Sequence, residues 1–241
     1  MVRALYADNL EGKVGSVVLD PYGRKVGILV GFSADFDSHV EKVSILTFGD
    51  GKIHDFKPEA IDLRNGIVIL KPDWKVSAER VATQYAKAVK KLEAVKEMRR
   101  KGEITPEIYD QFAKRLEASI KRLRDEMAKV KELMKRRKSA LEAELDSIKV
   151  SRVNLRMALY AGELSRDDYN RAWDKLNDHE EKVKNEIRDL EAMLKKLEEL
   201  EIRAVEAISE EEKHKEPEKH AAEEKPNIMG AQEPIPVKII G

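Results

Sequence analysis

The 241 residues contain no cysteine, which removes disulfides, thiol nucleophiles and every cysteine-based zinc site at once. Aromatic residues make up 5% of the chain and charged residues 38%, against about 25% charged in an ordinary globular domain. So few rings among so many charges favour long solvated helices over one large core. No run of about 18 apolar residues occurs, so no segment reads as membrane-spanning. The opening MVRALYADNL lacks the apolar core of a signal peptide, and a soluble cytoplasmic protein is expected. Net charge is also missing: Lys+Arg and Asp+Glu are 46 each, which gives no global pointer to nucleic acid. There is no phosphate-binding loop, and the five histidines, His39, His54, His179, His214 and His220, are dispersed. The expectation is therefore no enzyme, no cofactor and no metal. The abundant Glu and Lys read as i,i+4 pairs on helices.

Residues 1–73 read as a small β domain. KVGSVVLD and KVGILVGF are joined by Asp20-Pro21-Tyr22-Gly23, a turn in which proline presets φ and glycine tolerates a positive value. Asp50-Gly51 and Asn65-Gly66 are tight-hairpin signals between further short strands. Several short strands between such turns predict a small barrel or sandwich. This region resembles a PRC-barrel domain through Val14-Gly15, Val17, Asp20, Gly23 and Val26-Gly27, followed by Phe56-Lys57-Pro58-Glu59-Ala60-Ile61. That fold hosts unrelated roles and does not itself give a function. His39 and His54 lie in or beside strands without a second ligand at metal spacing.

After Trp74 the pattern becomes a heptad. Ala78, Val81, Tyr85, Ala88, Leu92 and Val95 are spaced 3-4-3-4-3. A second seam runs from Tyr109 through Ile120, Met127 and Met134 to Leu155, interrupted by Arg137, Glu144 and Ser151. A third runs from Tyr169 to Ile208, interrupted by Glu180 and Glu201. This periodicity predicts antiparallel coiled-coil hairpins over 77–208, with helices at about 77–101, 106–160 and 166–208. GEITPEIY at Gly102 and GELSRDDY at Gly162 repeat the same turn. Each glycine suits the left-handed position beyond a helix end. Thr105 and Ser165 suit the next N-cap, and Pro106 the first helical position. The repeat reads as turn chemistry rather than a catalytic motif.

Charge is unevenly placed. Residues 114–137 hold ten Lys/Arg and four Asp/Glu, while 189–212 hold three and nine. A hairpin folded at Glu163 lays these two segments side by side. The first helix, 77–101, carries eight Lys/Arg and three Glu, with no obvious partner in the sequence. Lys87, Lys90, Lys91, Arg99, Arg100 and Lys101 are candidate contacts for DNA phosphates or anionic lipid head groups, both sequence-independent attractions.

Residues 209–227 hold seven Glu, four Lys and two His between Ser209 and Pro226, with no large apolar residue. Such a segment cannot offset its ordering entropy and is expected to be a disordered linker. Residues 228–241 then end in Pro234, Ile235, Pro236, Val237, Lys238, Ile239 and Ile240. The prolines exclude helix but permit docking along a sheet edge. In a strand Ile235, Val237 and Ile239 share one face, the pattern of a peptide that adds a strand to a partner.

Barrel, coiled-coil hairpins, charged linker and Pro-Ile-Pro-Val peptide together resemble the archaeal cell-division protein A (CdvA) family. The resemblance implies a non-enzymatic protein that self-assembles as filaments or patches at the division site. It also implies association with membrane and DNA, and recruitment of the ESCRT-III homologue CdvB, whose winged-helix-like domain takes the C-terminal peptide. Expected partners are thus CdvB, further copies of this chain, DNA and an anionic membrane surface. The expected location is cytoplasmic, at the membrane of the division site, and the nucleoid. The second reading is a nucleoid-associated coiled-coil protein with the basic first helix as its DNA face.

Overall fold

Pro72 marks the change from strand to helix. The computed structural model describes residues 5–209. A single helical turn, α1 (Ala7–Leu10), precedes β1 (Val17–Leu19), β2 (Lys25–Ala34), β3 (Val40–Thr47) and β4 (Ile53–Phe56). A 3-10 turn (Pro58–Ala60) leads into β5 (Ile61–Arg64) and β6 (Ile67–Leu70). These form one six-stranded sheet in the order β4-β3-β2-β1-β6-β5. Neighbours are antiparallel except β1 and β6, which run parallel. Val18, Leu29, Val43, Ile45, Ile61 and Val68 bury in one cluster, so strands from both ends of the sheet curl around a common core. The β5–β6 turn is Asn65-Gly66 with φ of 50° and 81°, the doubly positive pair that matches strand twist. His39 lies beside Asp35 and His54 beside Asp50, both at the surface.

Three long helices follow: α2 (Asp73–Arg100), α3 (Pro106–Tyr160) and α4 (Arg166–Ser209). Helix α2 starts at Asp73 rather than at 77 because Pro72 holds the extended N-cap position and Trp74 is already buried. At 55 residues, α3 is roughly 80 Å long. At both connections the expected caps are in place. Thr105 Oγ1 accepts from the Ile108 amide at 3.5 Å, and Ser165 Oγ from the Asp168 amide at 3.1 Å. Gly102 and Gly162 take φ of 72° and 74°, and the residue after each donates back to a carbonyl of the helix it leaves.

Cross-helix ion pairs fix the packing. Lys131 meets Glu201, Lys138 meets Glu191 and Arg152 meets Glu180, so α3 and α4 are antiparallel, as charge matching predicts. Arg80 meets Glu126, so α2 is also antiparallel to α3. The first helix, for which the sequence showed no partner, has a second one as well. Glu93 binds Arg203, Lys75 binds Asp189, and Lys96 Nζ donates to the Ala207 carbonyl. Helices α2 and α4 therefore run parallel, side by side. The shaft is a three-helix bundle where α2 is present. Beyond it, α3 and α4 continue as a two-helix hairpin whose tip is the Gly162 turn. The linker beyond Ser209 and the C-terminal peptide, with Pro234, Ile235, Pro236, Val237, Lys238, Ile239 and Ile240, lie outside the described residues.

Candidate functional site

The charged residues that break the heptads are where the helices are tied to one another. Glu201 binds Lys131, Glu180 binds Arg152, and Glu144 Oε1 accepts from His179 Nε2 across the hairpin at 2.7 Å. Arg137 reaches Glu186, a carboxylate only 1% exposed. Its Nε donates to Oε1 at 2.7 Å and its Nη2 to Oε2 at 2.9 Å. That two-pronged arrangement is the strong form of a guanidinium–carboxylate contact. Arg24 Nη2 donates to Oε2 of the same carboxylate at 2.6 Å and to the Lys182 carbonyl at 3.3 Å. Trp74 Nε1 donates to Oε1 at 3.4 Å.

Glu186 thus gathers the β1–β2 turn, α2, α3 and α4 at one point. The turn presents Arg24 because Asp20 organises it. Asp20 Oδ1 accepts from the amides of Tyr22 at 2.9 Å and Arg24 at 2.8 Å. Next to it, Asp189 accepts from the Tyr22 hydroxyl at 2.7 Å and from Lys75. Burial, reinforced by donation to Asp189, pushes the Tyr22 hydroxyl well above the ordinary tyrosine range. For Glu186, burial works against the charged form. The hydrogen bonds from Arg137 and Arg24, with their charges, outweigh it and hold the carboxyl below the usual range. The product of the arrangement is mechanical: it ties the β domain to the shaft.

The candidate basic residues sit elsewhere. Lys87, Lys90, Lys91, Arg99, Arg100 and Lys101 are all exposed on α2 and the turn after it. Arg100 and Lys101 share Glu97, whose carboxyl is lowered to about 2 chiefly by the Arg100 hydrogen bond. Lys87, Lys90, Lys91 and Arg99 make no salt bridge among the described residues. Because Arg80 lies beside Glu126, the antiparallel register brings Lys87 and Lys91 alongside Arg115 and Arg122 of α3, which are also exposed. The groove between α2 and α3 therefore carries these four cations over about two turns, next to the Arg80–Glu126 pair. The Gly102, Thr105, Pro106 turn closes one end of the bundle, and the Gly162, Ser165 turn closes the far tip.

Sequence reasoning missed Glu186 and its role. A signal existed. Val183, Glu186, Leu190, Met193, Leu197, Leu200, Ala204 and Ala207 are spaced 3-4-3-4-3-4-3, a second seam on α4 beside the one recognised. Two overlapping seams on one helix require two helical neighbours.

No group of three or more His, Asp or Glu that could hold a metal ion occurs among the described residues. No helix among them is long and apolar enough to cross a membrane. The family described as the CdvA-like coiled-coil domain matches residues 73–220, from the first residue of α2 onward. The chain is 24% identical over 193 residues to cell division protein A of Sulfolobus acidocaldarius, covering 80% of each chain. No solved structure matches.

Proposed function

The chain belongs to the CdvA-like coiled-coil family, and from that premise we propose that it is a non-enzymatic scaffold and adaptor of archaeal cell division. It self-assembles at the division site through its helical shaft and recruits the ESCRT-III homologue CdvB through residues 228–241 by strand addition. The observation that carries this reading is the shaft itself. A helix roughly 80 Å long satisfies its internal seam within one chain and still presents apolar residues outward along its length, including Phe112, Leu133, Val153 and Met157. A rod of this kind supports lateral or end contacts between copies. The likeness to a protein named for cell division supplies the process. Sedimentation and negative-stain microscopy of the purified full chain, with and without DNA or anionic liposomes, test it. Polymers or ordered patches are expected; monodisperse particles under every condition overturn self-assembly.

The basic groove favours DNA as one surface on which the scaffold assembles, and a nucleoid-associated role is the second reading. Four exposed cations, Lys87, Lys90, Lys91 and Arg99, lack a salt-bridge partner among the described residues. Each phosphate contact adds roughly 0.9 to the slope of log affinity against log salt. Neutralising all four to glutamine is expected to reduce that slope by about 3 to 4 and to weaken DNA retention uniformly across sequences. An unchanged slope in a filter-binding or anisotropy titration places DNA, if bound, elsewhere. Lipid head groups draw on the same charges, and liposome flotation of the same variant separates the two surfaces.

A further inference from the structure

The outer face of α3 at the tip of the hairpin carries a second heptad stripe. Val150, Val153, Met157 and Tyr160 are 58–87% exposed and spaced 3-4-3. On the inner side of the same segment, Ile148 is buried in the shaft core. One exposed apolar residue says nothing, but four in heptad order form a seam that lacks its partner helix. Helix α2 does not reach this far, since Trp74 at its start already lies beside Glu186. Lys149 and Arg156 flank the stripe on one side, Lys149 beside Asp146 of the same helix and Arg156 over the Trp173 ring; Ser147, Asn154 and Ala161 flank it on the other. Back-to-back antiparallel pairing of two such stripes, Val150 against Tyr160 and Val153 against Met157, brings Arg156 beside Arg156 of the second copy, an unfavourable like-charge arrangement.

A complementary surface exists on the same molecule. Near the end of α4, Ile202 and Val205 are 60% and 52% exposed in a shallow groove otherwise lined by Glu198, Glu201 and Glu206. We propose that the basic-flanked tip stripe of one copy docks on the acidic-rimmed Ile202–Val205 groove of the next. This rests on the self-assembly reading and names its interface. The contact is head-to-tail, so each added copy leaves one tip and one groove unfilled, and assembly is open-ended. Lys131 lies beside Glu201, so the groove is roughly 35 Å of helix away from the tip stripe. Four apolar residues on one side and two on the other make a small contact, and interfaces under ~1,200 Å² are weak. Single contacts are accordingly weak, and the polymer forms cooperatively or on a surface that concentrates it.

The absence of native cysteine makes the test clean. Full-length Val153→Cys/Ile202→Cys is assembled, assembly is verified by sedimentation, and the sample is mildly oxidised. A ladder of covalent multimers is expected. Either single variant alone stays monomeric on a non-reducing gel, and the two singles mixed give dimers and nothing larger. A polymer that sediments but gives no ladder, or Val153→Cys linking to itself, overturns this interface and leaves self-assembly standing. If nothing sediments, both fall. Charge gives an independent readout: Lys149→Glu is expected to cut the sedimented fraction several-fold, and adding Glu198→Lys to restore it. Loss without rescue overturns the pairing.

Discussion

Replacing Glu186 by alanine is expected to cost about 3 kcal/mol of stability, near the lower end of the range for breaking a buried ion pair. The two guanidiniums decide the size. Arg24 has a side-chain exposure of 22% and is left with Asp20 and a backbone carbonyl. Arg137 is 39% exposed and can turn toward water, which recovers part of the loss. The triple change Arg24→Met, Glu186→Leu, Arg137→Met is expected to be near neutral, because it removes the desolvation cost along with the attraction. That contrast separates a broken charge cluster from a simple loss of packing. Acidity gives a second reading. Glu186 is held ionised more readily in the folded chain than in the unfolded one. Its contribution is therefore complete above the ordinary glutamate value of about 4.3 and is lost as pH falls through the lower folded value. Urea melts of Glu186→Gln should differ from the parent at pH 7, and the gap should narrow as pH falls below the ordinary glutamate value. A midpoint at pH 7 unchanged by Glu186→Ala would remove the junction as a structural latch.

The same cluster shows where the sequence is legible and where it is not. Local chemistry reads well. Gly102, Thr105 and Pro106, and Gly162 and Ser165, each act within a few residues of backbone, and their turns follow from φ preference and capping alone. The α3–α4 pairing reads well too, because Lys131 and Glu201 sit at matching distances from one turn. What fails is the contact with no such ruler. Arg24 and Glu186 are 162 positions apart, and an arginine in a β-turn carries no mark of a glutamate on the last helix. The return of α4 onto α2 was hidden for a related reason. Met193, Leu200 and Ala207 form the second seam, but Glu186 stands in it, and a carboxylate at a seam position reads as a break. In the structure it accepts from Arg137, Arg24 and Trp74 at once. Charged interruptions here (Glu144, Glu180, Glu201) are paired across helices, which specifies register more sharply than a uniform apolar stripe does.

The C-terminal peptide carries the remaining large effect. Ile235→Asp combined with Val237→Asp is expected to weaken a peptide of residues 225–241 by at least a hundredfold against the winged-helix-like domain of CdvB. Two aliphatic side chains buried on one face contribute about 3 to 6 kcal/mol between them, and burying carboxylates in their place adds a further cost. The prolines sharpen the expectation. In a strand, the backbone groups of residues 235, 237 and 239 point to one edge, and those of 234 and 236 to the other. Proline at 234 and 236 has no N–H, so only the first edge can pair with a partner sheet, and the outer edge is closed to another strand. Pro234→Ala with Pro236→Ala is therefore expected to shift affinity only a few-fold, through lost preorganisation. In calorimetric titrations the order should be parent, then the alanine pair close behind, then the aspartate pair far below. Equal losses from the two pairs would rule out a strand-addition geometry. No loss from the aspartates would remove the peptide as the CdvB site. Under the proposed self-assembly, display of many such peptides along the shaft is expected to raise effective affinity by a further 10²–10⁴. Capture of CdvB should therefore depend more steeply on the polymerised fraction of this chain than on its total concentration.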